Sequence, residues 1–208
     1  MKIRTVEFAG AIAGPTGTAP GPLPQVAFAG RSNVGKSSLI NRLLGRTRTP
    51  IARVSGTPGK TQEINFFHVD ALSEQDAADF EFYLVDLPGY GYAKVPKQLR
   101  GAWKPLIEGY LKGSEQLLGV VQLIDCRHDP TPEDRSMVTF LAALGTPTLV
   151  VVTKVDKLKP AGRAGRIESI AAALELDMDQ VVPFSAQTGE GREVLLEALE
   201  ALLRETQA

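Results

Sequence analysis

The sequence predicts an α/β fold of three layers, a mainly parallel sheet with helices on both faces. Three observations lead there. Short, nearly continuous apolar runs recur along the chain, as strands buried on both faces require. Between them lie segments with apolar residues at three- and four-residue spacing, the period of amphipathic helices. The pattern G-x-x-x-x-G-K-S occupies Gly30–Ser37 and stands between an apolar run and a helical one, the order that turns a strand into a helix through a phosphate-cradling loop.

Element by element, Lys2–Phe8 reads as an extra edge strand, and Gly10–Pro24, rich in Gly, Pro, Ala and Thr, as a loop. Residues 1–24 are therefore expected to form an N-terminal strand and flexible loop ahead of a domain spanning 25–208. Val26–Ala29 is a short buried strand and Ser38–Leu44 a helix. Ile64–Val69 and Phe80–Val85 are adjacent strands joined by the acidic stretch Asp70–Asp79. That stretch is long for a hairpin connection and is expected to be a solvated insertion with no catalytic part. Gly119–Ile124, Thr148–Val152 and Val181–Phe184 complete the strands. Helices are expected over Pro96–Leu111, Pro132–Leu144, Gly162–Leu176 and Glu190–Thr206. The second of these opens with Thr131, Glu133 and Asp134, an N-terminal signature, and the last carries Leu195, Leu199, Leu202 and Leu203 on one face.

The chain has 208 residues, enough for one domain with a full core, and its 43% hydrophobic and 23% charged content is that of a soluble globular protein. A net charge of −1 excludes a globally basic nucleic-acid binder and leaves any RNA contact to a local patch. The single cysteine, Cys126, excludes a disulfide framework and a paired-cysteine zinc site; following Val120–Ile124, it is expected to be a buried, inert thiol. His68 and His128 are too isolated to suggest a metal site. No apolar run is long enough to span a membrane and no signal-peptide core is present, so a cytoplasmic, soluble monomer without membrane contact is expected.

The chemistry is carried by five segments in fixed order. In Gly30-Arg31-Ser32-Asn33-Val34-Gly35-Lys36-Ser37, backbone N–H groups and a helix N-terminus face a polyphosphate, Lys36 reaches its β- and γ-phosphates, and the Ser37 hydroxyl ligates Mg²⁺. Asp86-Leu87-Pro88-Gly89 follows a strand, so Asp86 can hold Mg²⁺ through water and the Gly89 N–H can bond the γ-phosphate. Upstream, Thr57-Pro58-Gly59-Lys60-Thr61-Gln62, continued by Glu63, can deliver a threonine to Mg²⁺ and the γ-phosphate. Thr61, which abuts the next strand, is the preferred ligand and Thr57 its competitor. In Thr153-Lys154-Val155-Asp156 the Asp156 carboxylate can accept from guanine N1–H and N2–H₂, whereas adenine would leave it unpaired. Lys154 can lie over the base. In Phe184-Ser185-Ala186 the Ala186 N–H can donate to guanine O6. Alone, D-x-x-G and S-A are common patterns and T-K-x-D a more specific one; their collinear order after the phosphate loop, each at a strand end, makes one site of them.

These segments make the chain resemble the translational-type GTPases of Ras-like fold, and among them the EngB/YihA/YsxC family of bacterial GTP-binding proteins. The features that narrow it are Gly30–Asn41, Thr57–Gln62, Asp86-Leu87-Pro88-Gly89-Tyr90-Gly91-Tyr92-Ala93, and Thr153-Lys154 where GTPases in general carry Asn-Lys. The resemblance implies GTP and GDP as ligands, Mg²⁺ as cofactor, a role in large ribosomal subunit assembly, and a link to cell division and septation. It departs from GTPases at large in Thr153, whose short hydroxyl is expected to brace the base edge less well than an amide.

Lys36, Thr61, Gly89 and Asn33 are the expected catalytic residues. Many GTPases orient the attacking water with a glutamine after D-x-x-G; here that residue is Tyr90, so slow intrinsic hydrolysis is expected. Asn33 resembles the asparagine with which cation-activated GTPases hold K⁺; bracing of the loop is the alternative. Loss of the γ-phosphate is expected to loosen residues 46–61 and 88–97. Lys94, Lys97, Arg100 and Lys104, beside Tyr90, Tyr92 and Trp103, form a candidate ribosomal RNA patch, and Lys157, Lys159, Arg163 and Arg166 a second basic cluster. The competing function is a metabolic P-loop ATPase or nucleoside kinase, which leaves Asp156 and Ser185-Ala186 unexplained.

Overall fold

The computed structural model describes residues 1–14, 17–52, 63–91 and 97–205, with side chains from 105 onward in the last of these ranges. Seven strands form one sheet: β1 (Lys2–Ile12), β2 (Gln25–Gly30), β3 (Ile64–Leu72), β4 (Asp79–Asp86), β5 (Leu117–Asp125), β6 (Thr148–Thr153) and β7 (Val181–Phe184). Their order is β1-β3-β4-β2-β5-β6-β7. From β4 to β7 every pairing is parallel, while β1 and β3 add an antiparallel edge. The helices are α1 (Lys36–Leu43), α2 (Lys97–Gly113), α3 (Pro132–Ala143), α4 (Pro160–Ala173) and α5 (Arg192–Glu205).

Strand periodicity sorts the core into layers. On β2, Val26 and Phe28 pack with Leu39, Ile40 and Leu43 of α1 and Leu195 and Leu199 of α5. The alternate residues Ala27 and Ala29 pack with Leu106, Ile107 and Leu111 of α2 and Leu141 of α3. Val150 and Val152 of β6 meet Ile167 and Ile170 of α4, while Val151 between them joins the α1/α5 side. Successive strand residues point to opposite faces, so a strand with helices on both sides must be apolar throughout. β2 is buried at every position, and each of its large side chains contributes roughly 1.5–3 kcal/mol by leaving water. The expected three-layer α/β architecture is the observed one.

Two boundaries differ from expectation. β1 runs past Phe8 to Ile12, through register shifts between Ile3 and Thr5 and between Phe8 and Gly10, so the loop after it begins later. The acidic stretch Asp70–Asp79 is not a loop over its whole length. β3 continues through Leu72, β4 starts at Asp79, and these two residues face each other. Ala71 is buried while its acidic neighbour Asp70 is not; charges at alternating positions mark the exposed face of a strand. The remaining turn, residues 74–78, is exposed as expected, and it is also tied to the body. Ser73 is buried, and Arg204 of α5 donates to Ser73 Oγ (3.0 Å) and Asp76 Oδ2 (2.6 Å). Among the described residues no helix is long and apolar enough to cross a membrane.

Candidate nucleotide-binding site

The parallel order reverses at β2, which has β4 on one side and β5 on the other. Ligands of open α/β sheets bind beyond the carboxyl ends of the strands at such a point. Gly30 closes β2 where no side chain fits: a Cβ would lie 2.9 Å from Val34 Cγ1 and 3.0 Å from Leu123 Cβ. The loop then turns through left-handed backbone at Asn33 (φ 67°) and Gly35 (φ 106°). Gly35 caps α1, whose first-turn N–H groups have no helical acceptors and face the loop mouth.

Asp86, the last residue of β4, is buried and makes an ion pair with Lys36 Nζ. The residues that follow are stitched to the loop. Ser32 Oγ donates to the Gly89 carbonyl (3.2 Å), Ser32 N–H to the Tyr90 carbonyl (2.9 Å), and Tyr90 N–H to the Gly30 carbonyl (3.3 Å). Leu87 and Pro88 are buried beneath them. Ser37, half-buried at the start of α1, and Asp86 offer the hard oxygen donors that Mg²⁺ takes.

At the other end, Thr153 Oγ1 lies 2.7 Å from the Val34 carbonyl and 3.2 Å from that of Ile124. Lys154 adopts left-handed backbone (φ 63°). Its Nζ donates to the Asn33 carbonyl (2.6 Å) and Asp125 Oδ2 (2.7 Å), which lays the aliphatic stem along the loop. Burial pushes the Asp125 carboxyl up, but hydrogen bonds from Arg127 and Lys154 outweigh it and hold it below the usual carboxylate range. Cys126 is fully buried, its Sγ donating to the Lys154 carbonyl (3.2 Å), and burial raises its thiol pKa. Val155 is buried. The hydroxyl of the buried Ser185 donates to Asp156 Oδ1 (2.7 Å) and keeps that carboxyl below its ordinary value; Lys157 Nζ is 3.1 Å from Oδ2.

Between these ends lies a cavity of about 400 Å³ lined by Gly35, Arg42, Lys154, Asp156, Phe184 and Ala186, with Thr47 and Pro50 also at its wall. Its volume is in the range of small-ligand sites. A carboxylate on that wall, opposite an aliphatic lysine stem, can accept paired N–H donors from a planar ring.

The fold thus brings together the phosphate loop, Asp86–Gly89, Thr153–Asp156 and Phe184–Ala186. Glu63 is exposed and lines no part of this cavity. Thr57, Gly59, Lys60, Thr61, Gln62 and Lys94 lie outside the described residues, as do the side chains of Lys97, Arg100 and Lys104. In the second basic cluster, Arg163 pairs with Glu190, Arg166 with Asp129 (2.6 Å) and Lys157 with Asp156, so only Lys159 keeps a charge without an ion-pair partner among the described residues. His68, on β3, faces Glu81 (3.1 Å).

Sequence reasoning missed several supporting residues. Arg42 donates to the carbonyls of Ala186 (2.6 Å) and Gln187 (2.7 Å), fixing the loop before α5 against α1. Arg192 reaches back to the carbonyls of Arg42 (3.1 Å) and Leu43 (3.0 Å) at the α1 C-terminus. Asn41, buried in α1, accepts from Ile51 N–H (2.9 Å) and Ala52 N–H (3.0 Å) and donates to the Ala52 carbonyl (2.8 Å). For Asp125 a signal existed, since it ends a parallel strand as Asp86 does; for the arginines none did.

The family described as 50S ribosome-binding GTPase matches residues 25–154. A probable GTP-binding protein EngB of Gemmatimonas aurantiaca is 53% identical over 98% of this chain and 95% of its own length. The crystal structure of a probable GTP-binding protein EngB superposes with a TM-score of 0.67 at 28% identity, covering 87% of this chain and 99% of that one. Era in complex with MgGDPNP and a segment of 16S ribosomal RNA superposes with a TM-score of 0.64 at 27% identity, over 87% of this chain and 56% of that one. With a phosphate loop, an acid-ended β4 and a carboxylate-walled cavity on one Ras-like sheet, the chain belongs to the EngB family of GTP-binding proteins, a family of GTPases.

Proposed function

We propose that this GTPase is a guanine-nucleotide switch of large ribosomal subunit assembly, acting in the cytoplasm as a monomer and required for normal cell division and septation. The observation that carries the nucleotide part is the Asp156–Ser185 pair at the wall of the cavity. The carboxylate, already ionised and aimed by a buried hydroxyl, accepts guanine N1–H and N2–H₂; adenine would leave it desolvated without a donor. Ala186 N–H donates to O6 and Lys154 covers the ring.

At the phosphate end, Lys36 exchanges its Asp86 partner for the β- and γ-phosphates, and the Gly89 N–H meets the γ-phosphate. Ser37, Asp86 through water, and Thr61 would hold Mg²⁺, which would supply neutralising charge at the phosphates. Tyr90 stands where many GTPases carry a water-orienting glutamine, which supports slow hydrolysis that a partner or a K⁺ ion at Asn33 completes. The family's ribosome-binding description and the rRNA-bound Era support the assembly role, with Lys94, Lys97 and Arg100 as the RNA contact.

The test is co-sedimentation with ribosomal subunits in GTP-analogue, GDP and nucleotide-free states. Retention on the large subunit or its precursors with the analogue, and release with GDP, is expected. Equal sedimentation in all three states refutes the switch.

A further inference from the structure

Gln122 is a polar side chain buried in the middle of a central strand. It sits in β5 between Val121 and Leu123, fully buried, where every neighbouring strand position is apolar. A primary amide there is costly unless it serves a partner: Gln122 Nε2 donates to the Tyr90 phenol oxygen at 2.5 Å, with a longer contact to the Leu123 carbonyl at 3.3 Å, while its Oε1 has no partner among the described residues. The phenol in turn donates to Asp134 Oδ1 at 2.9 Å. Asp134 is itself buried, and its other oxygen accepts from Thr131 N–H (2.9 Å) and Thr131 Oγ1 (2.8 Å) at the start of α3. The Tyr90 oxygen is therefore clasped from β5 and α3, two elements separate from the loop it belongs to. Burial, and then Asp134, raise the phenol pKa well above its ordinary value, so the donor proton stays in place at neutral pH.

The main-chain contact this clasp supports is small. Arg31 and Tyr90 form an isolated parallel bridge just past the carboxyl ends of β2 and β4, and a single bridge beyond the strand ends has little main-chain pairing of its own to hold it. Yet it decides where Gly89 sits. A Cβ on Gly89 would lie 3.0 Å from Ser32 Oγ and 3.1 Å from Ser32 N, so the peptide is pressed onto the phosphate loop.

We infer that Tyr90 is a positioning residue: clasped by Gln122 and Asp134, it presets the Gly89 N–H at the mouth of the phosphate loop before nucleotide arrives. The inference rests on the reading in which Gly89 meets the γ-phosphate. It also accounts for the residue after D-x-x-G: that side chain is committed to holding the γ-phosphate donor and is not available to orient water. The preset donor favours triphosphate over diphosphate, because GDP offers it nothing to bond.

The test compares fluorescent GDP and a non-hydrolysable GTP analogue on the wild-type chain, Tyr90→Phe, Gln122→Met and Tyr110→Phe. Tyr110 provides the control, a half-buried tyrosine whose phenol donates to Gln25 Oε1 (2.7 Å) away from the phosphate loop. For Tyr90→Phe and Gln122→Met, analogue affinity is expected to fall about tenfold with GDP affinity within about twofold, as loss of a preset conformer dictates. Tyr110→Phe should lower the melting temperature and leave the analogue-to-GDP ratio unchanged. If Tyr90→Phe fails to fold, Gln122→Met, which keeps the side-chain volume, reads the same ratio. An unchanged ratio in a folded Tyr90→Phe or Gln122→Met overturns the inference while guanine binding stands. A wild-type chain with no preference for the analogue over GDP overturns the inference as well, whereas one with no preference for guanine over adenine nucleotides overturns the site reading itself.

Discussion

Thr153 Oγ1 lies 2.7 Å from the carbonyl of Val34, across 119 residues of sequence. It ties the end of β6 to the middle of the phosphate loop, so the segment proposed to read the base is bonded directly to the phosphate cradle. The hydroxyl that looks like a weak substitute for an asparagine is occupied in bracing the loop. Thr153→Val keeps the shape and removes the one hydroxyl donor, which lies nearest the Val34 carbonyl and is shared with that of Ile124. A loss of about 1–3 kcal/mol in unfolding free energy is expected, with weaker GDP binding; chemical denaturation and nucleotide titration measure both.

Asp156 gives a pH signature. Its carboxyl is depressed by the Ser185 hydrogen bond, with Lys157 adding to the effect. A depressed acid contributes stability above its unfolded pKa, about 3.9, and loses it as pH falls through the lower folded value. GDP affinity should therefore be flat down to about pH 4 as far as this group is concerned. In Ser185→Ala the fall should begin at higher pH, and Asp156→Asn should relax the preference for GDP over ADP. Titration of fluorescent GDP between acidic and neutral pH checks both; a Ser185→Ala profile that overlays the wild type removes the assigned cause.

Gly30 admits no side chain, since a Cβ would meet Val34 Cγ1 at 2.9 Å, Leu123 Cβ at 3.0 Å and the Leu123 carbonyl at 3.3 Å. Gly30→Ala should cost about 1–3 kcal/mol through overpacking and push the loop off the cradle geometry. Gly45→Ala is the useful contrast. That position has φ 70° but nothing near its Cβ, so its cost is conformational and nucleotide affinity should hold. Thermal unfolding paired with GDP titration separates the two.

Asn33 is exposed, in left-handed backbone, with its carbonyl engaged by Lys154 Nζ. The carbonyl thus takes part in the bracing, and the proposal that an ion binds at Asn33 concerns the side chain. Turnover is expected to be faster in K⁺ than in Na⁺ at matched ionic strength, and Asn33→Ala should erase the difference. Equal rates in the two salts for the wild-type chain would end the K⁺ assignment.

Much of this protein was legible in its sequence because the signals are local. Apolar runs such as Val120–Ile124, the helical spacing of Leu195, Leu199 and Leu203, and the motifs at Gly30–Ser37 and Thr153–Asp156 each specify structure within a few residues, so the three-layer α/β class and the site's positions followed. Asp70 and Asp79 misled because charge on alternate strand residues looks like a loop when the pairing partner is unknown. What the tertiary structure alone decided are contacts between segments distant in sequence: Thr153 on Val34, Arg42 on Ala186, Arg204 on Ser73, and Gln122 and Asp134 on Tyr90. A buried polar side chain must find a partner, but which one depends on strand order and helix packing that no local pattern encodes. By itself the sequence determined where a guanine nucleotide's chemistry could sit; the packing of distant elements decided how rigidly it is held.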